Sequence, residues 1–113
     1  MESQIELNNE RVDLLETFRQ VVPDFMAAEF AVLDEAYKDG ALSSKVKRLM
    51  ALAIALRATC TNYILAQTLR ALEAGATKDE VLEILQVVGV ISGTTGIAES
   101  LRVIKFLDEL GKL

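Results

Sequence analysis

One cysteine, Cys60, and no histidine occur in this 113-residue chain. A lone thiol excludes an intrachain disulfide, so the chain does not read as a disulfide-stapled secreted module. It leaves the Cys60 thiolate as the strongest nucleophile the sequence offers. Once oxidised to a sulfenic acid, such a thiol needs a second thiol from another molecule to resolve it. Zinc sites draw on clusters of Cys and His, so no metal is expected, and no motif calls for a cofactor. Tyr63 and Gln67 follow Cys60 at spacings of three and four, which on one helix puts them on a shared face. Each has a plainer reading as well. Cysteine packs as a small hydrophobe, tyrosine as a core aromatic with a bonded hydroxyl, and glutamine as a polar interface residue. The acid pairs Asp34-Glu35, Asp79-Glu80 and Asp108-Glu109 are adjacent in sequence. Neighbours on a helix do not face each other, so these read as solvated faces or first-turn dipole partners.

The elements that must position these residues are helical. Asn8-Asn9 are read as the cap of a first helix, with Val12, Leu15, Phe18 and Val22 at three–four spacing. Pro23 is tolerated only in a first turn, so a second helix starts there and is expected to end at a left-handed Gly40. Ser43-Ser44 cap a third helix, apolar on nearly every side and therefore buried. Thr59 is read as the cap of a fourth, which Gly75 closes. Thr77 and Glu80 form a capping box that opens a fifth through Ile91. Ser92-Gly93-Thr94-Thr95-Gly96 reads as a turn, and a sixth helix spans about Ile97 to Leu110. The expectation is a single all-α domain over 1–113, a six-helix bundle with short connections.

The stretch Lys45–Leu56 leads into Cys60 and then Ala71-Leu72-Glu73-Ala74-Gly75-Ala76-Thr77-Lys78-Asp79-Glu80-Val81. This order resembles the carboxymuconolactone decarboxylase family, which includes the alkylhydroperoxidase AhpD-like proteins, over roughly residues 45–93. The resemblance implies an AhpD-like helical fold, protomers assembled as trimers or hexamers, and a peroxidase or disulfide oxidoreductase with an external thiol reductant. The redox branch of the family resembles E-x11-C-x2-C-x3-H, in which a helix N-terminus favours the thiolate and Glu and His shuttle protons. That pattern falls here on Arg48, Cys60, Tyr63 and Gln67. Only the first cysteine is kept, so Cys60 is the one redox residue left. Arg48 comes from the preceding helix and, in the family's geometry, projects toward the cluster. A guanidinium there favours an anion, either the thiolate or a ligand carboxylate or phosphate. Its plainer role is an ion pair with a neighbouring subunit. The alternative function is a non-redox oligomeric scaffold or small-ligand-binding protein.

Whole-chain properties bound these readings. The formal charge is −5, against the basic footprint of nucleic-acid binders. The N-terminus lacks the basic and apolar segments of a signal peptide. The apolar run Leu49–Leu56 is far short of the ~20 residues of a membrane span, so a cytoplasmic protein without membrane contact is expected. Apolar residues make up 51% of the chain, yet a domain this small buries only ~65% of its unfolded surface. The excess must either show on the surface, as in an apolar monomer, or meet another subunit, and an obligate homo-oligomer is expected.

Overall fold

A computed structural model describes residues 1–113 as five α-helices without a strand: α1 Gln4–Val21, α2 Pro23–Tyr37, α3 Ser44–Arg57, α4 Thr61–Glu73 and α5 Lys78–Glu109. The all-α class is as expected, but the helices number five rather than six. The anticipated turn at Ser92–Gly96 contracts to one residue, Gly93, with φ 62° and ψ −141°. Residues with a side chain scarcely adopt that combination. A straight helix of 32 residues would run about 48 Å, longer than the molecule's greatest dimension of 39 Å. The bend at Gly93 keeps both limbs of α5 inside the molecule. The limbs converge so closely that a Cβ on Gly96 would lie 2.9 Å from the Val88 carbonyl oxygen. By length and composition α5 could cross a membrane. Gly93, however, divides it into limbs 78–92 and 94–109, each shorter than a ~20-residue span.

The core lies where α3, α4 and α5 meet. Leu52, Leu56, Ile64, Val103 and Leu107 are fully buried there. On α4 the buried residues are Ile64, Leu65, Gln67, Thr68 and Ala71, the stripe that a 3.6-residue period presents to one side. The capping box at Thr77 is present in both directions. Ser43 caps α3 by accepting the Val46 N–H.

Two other helix ends differ from the sequence reading. The cap of α1 is Ser3, not Asn8-Asn9. Ser3 Oγ accepts the Glu6 N–H and donates to Glu109 Oε2 at 2.5 Å, while Glu109 Oε1 accepts the Gln4 N–H at 2.7 Å. Asn8 is buried mid-helix, and its Oδ1 accepts from Arg11. Thus Glu109, read as a solvated acid, anchors α1 to the end of α5. Nor does Gly40 terminate α2 in the left-handed region. The helix stops at Tyr37, and Lys38 turns extended. The Lys47 ammonium takes the Lys38 carbonyl at 2.6 Å, and Asp39 accepts the Ser44 N–H at 2.7 Å. Side chains thus do the work expected of the glycine.

The α1–α2 arm is poorly buried. Pro23 opens α2 at its first turn, and Phe18 and Phe25 meet edge to face across the bend, at 6.4 Å and 69°. Met26 is the arm's one buried apolar side chain.

Candidate functional site

The α3–α4 junction positions Cys60. The Thr59 N–H bonds to the Leu56 carbonyl and the Cys60 N–H to the Ala55 carbonyl. This paired pattern is a Schellman ending, whose first residue past the cap is left-handed and usually glycine. Here that residue is Thr59, at φ 55°. Because Thr59 is left-handed, it cannot also be the extended N-cap of α4. That place falls to Cys60, at φ −96° and ψ 94°, one residue later than the sequence suggested. No side chain accepts the first N–H groups of α4. The Cys60 side chain stands where a capping serine or threonine oxygen normally would.

Cys60 is half-buried on the wall of a cavity of about 330 Å³. Leu33 and Tyr37 from α2 line it, with Ala51, Ile54 and Ala55 from α3, Ala58 after it, and Tyr63 and Gln67 from α4. The chamber is apolar except for the thiol, the two phenol groups and one amide. Tyr63 is largely exposed at its rim and Gln67 is buried. The three–four spacing of Cys60, Tyr63 and Gln67 therefore does bring them to one cavity.

Arg48 reaches the same cluster from α3, but its partner is neither the thiol nor a carboxylate. One guanidinium nitrogen donates to Gln67 Oε1 at 3.1 Å, and the guanidinium carbon sits 3.5 Å from the centroid of the Tyr37 ring. Gln67 Nε2 completes the circuit to the Tyr37 hydroxyl at 3.5 Å. A partly desolvated cation over an aromatic face is stabilised by about 1–2 kcal/mol, and a hydrogen bond to a charged donor by roughly 1.5–3 kcal/mol. Burial weakens Arg48's hold on its proton, although arginine stays charged at any physiological pH. The ring of Tyr37, Arg48 and Gln67 is thus a rigid polar wall tying α2, α3 and α4 together. Tyr37 was missed in the sequence, although it lies four residues beyond Leu33 on the same helix face.

A sequence model of the carboxymuconolactone decarboxylase family matches residues 23–106. An uncharacterized protein from Cupriavidus necator is 31% identical over 91 residues, 80% of each chain. Among solved structures, a carboxymuconolactone decarboxylase family protein from Legionella pneumophila superposes with a TM-score of 0.88 at 25% identity, covering 96% of this chain and 97% of that one. The protein TM1620 from Thermotoga maritima gives a TM-score of 0.76 at 28% identity, over 89% and 92% of the two chains.

Proposed function

The chain belongs to the carboxymuconolactone decarboxylase family, and from that premise we propose that it is an AhpD-like oxidoreductase working with a single thiol, Cys60. Its substrate is a small apolar hydroperoxide and its reductant a thiol from outside the chain. One observation carries the reading: Cys60 holds the N-cap of α4 on the wall of an otherwise apolar chamber. The Cys60 thiolate attacks the outer peroxide oxygen, the O–O bond breaks, and the products are a sulfenic acid and an alkoxide that takes a proton from water. An external thiol then condenses with the sulfenic acid, forming a mixed disulfide and releasing water. A second external thiol attacks that disulfide, restoring Cys60 and leaving as the oxidised disulfide. A reducing cytoplasm supplies such thiols.

The test is consumption of cumene hydroperoxide with dithiothreitol by the wild type and Cys60→Ser. The reading requires turnover that the serine variant loses; equal rates end it. A second reading, a non-redox ligand-binding protein on the same scaffold, is favoured by the Tyr37–Arg48–Gln67 ring. That ring stands where the redox pattern resembled by this sequence has its Glu and His. On this reading, small apolar molecules bind equally well to wild type and Cys60→Ser.

A further inference from the structure

A second cavity, of about 310 Å³, adjoins the Cys60 chamber and shares Leu33, Tyr63 and Gln67 with it. Three arginines from three helices line it: Arg11 of α1, Arg48 of α3 and Arg70 of α4. The chain has only 12 cationic residues and a net charge of −5, so this convergence is unusual. Arg70 is exposed and neutralised by Glu73 at 3.0 Å. Arg11 and Arg48 are half-buried, and the groups that hold them are neutral. Asn8 Oδ1 accepts from Arg11 at 3.0 and 2.9 Å, and Gln67 Oε1 accepts from Arg48. Such partners orient a guanidinium and bring no opposite charge into direct contact with it. Glu29 and Asp34 also face the cavity, but neither forms an ion pair with any of the three arginines. Burial is the main cause that disfavours the charged forms of Arg11 and Arg48; the Arg70 charge adds to it, opposed at Arg48 by Tyr37, Glu73 and Asp34. A bound anion would offset the cost of burying both guanidiniums and the repulsion from Arg70. The rest of the wall is apolar, from Leu15, Met26, Phe30 and Leu33.

We propose that this cavity binds an amphiphilic anion, its carboxylate or phosphate head on Arg11 and Arg48 and its hydrocarbon part along Leu15, Met26, Phe30 and Leu33. The proposal needs no chemistry at Cys60, which does not line this cavity, although it meets Arg11, Leu15 and Tyr63 around a neighbouring one. The test is calorimetric titration of the full chain with decanoate, decyl phosphate and decanol. At least one of the two anions is expected to bind about tenfold or more tightly than decanol, the margin a charge-assisted hydrogen bond gives. Preference for decanoate assigns a carboxylate head, and preference for decyl phosphate a phosphate. Arg11→Gln is expected to lose that margin. Arg11 bonds only within its own helix, so this variant keeps the test valid even where Arg48→Gln loosens the fold. Cys60→Ser is expected to keep full affinity. Decanol binding as tightly as both anions, no binding of any of the three, or an affinity untouched by Arg11→Gln would overturn the proposal. So would loss of affinity in Cys60→Ser, which would move the ligand into the neighbouring chamber.

Discussion

Thr59 adopts φ 55° immediately before Cys60, whereas Gly75 and Gly111 hold the corresponding left-handed position after α4 and α5. A left-handed residue with a Cβ costs about 1–2 kcal/mol, and a β-branched one is a rare occupant. Thr59→Gly removes that strain, offset in part by glycine's greater freedom when unfolded. The variant is expected to be more stable by up to about 1 kcal/mol, read as a higher urea midpoint with an unchanged slope. An unchanged or lower midpoint would mean that the junction is not strained. At this scale the sequence was partly legible. Cys60, Tyr63 and Gln67 lie on one helix, so local spacing alone put them on one face. Tyr37 and Arg11 were not seen, because they reach the site only through the packing of α2 and α1, which no local pattern encodes.

Helix α5 depends on two glycines for different reasons. Gly93 supplies backbone angles closed to other residues, and Gly96 supplies space against Val88. Gly93→Ala is expected to destabilise by about 1–3 kcal/mol, measured by thermal or urea unfolding. Gly96→Ala is expected to do the same through overpacking, which typically costs about 1–3 kcal/mol. Ser92 Oγ is buried at this bend without a partner. Ser92→Ala is expected to be neutral or stabilising, because no hydrogen bond is lost. The ends of elements were legible where their signal is local, as in the Thr77–Glu80 box and Gly75. They were illegible where a distant group decides. Nothing near Ser3 in sequence announces that Glu109 will receive its hydroxyl, so Asn8-Asn9 looked the better cap. The sixth helix was counted because a Gly-Thr-Thr-Gly run normally separates helices, whereas here one residue makes the whole bend.

For the whole molecule, the exposed surface is informative. A monomer of 12.4 kDa typically exposes about 6,100 Å², and this protomer exposes 6915 Å². Phe18, Phe25 and Val32 on the arm and Val87, Val90 and Ile91 on α5 lie among the exposed apolar side chains. We therefore expect an obligate homo-oligomer, and the family resemblance implies a trimer or hexamer, with the mass read by sedimentation equilibrium; a stable monomer at micromolar concentration would refute this. Charge adds a pH dependence. The Ser3 hydroxyl and then the Gln4 N–H hold the Glu109 carboxyl below its ordinary range. A carboxylate lowered in the fold stabilises above its unfolded pKa, and that contribution is lost as the pH falls through the folded value. Thr77 and Lys45 act on Glu80 in the same direction. Stability is expected to be level from pH 7 to about 5 and to fall below that. Glu109→Gln is expected to be less stable at pH 7 and to show a shallower acid decline.

The Ser3–Glu109 tie joins residues 106 positions apart, so it closes a loop nearly as long as the chain. The entropy of such a closure grows only logarithmically with length, but the loop is in effect short once everything between is already in place. The tie is therefore expected to form late in folding and to open early in native fluctuations. Amide hydrogen exchange should find the first turn of α1 among the least protected helical segments, its protection declining further in acid as Glu109 takes up a proton.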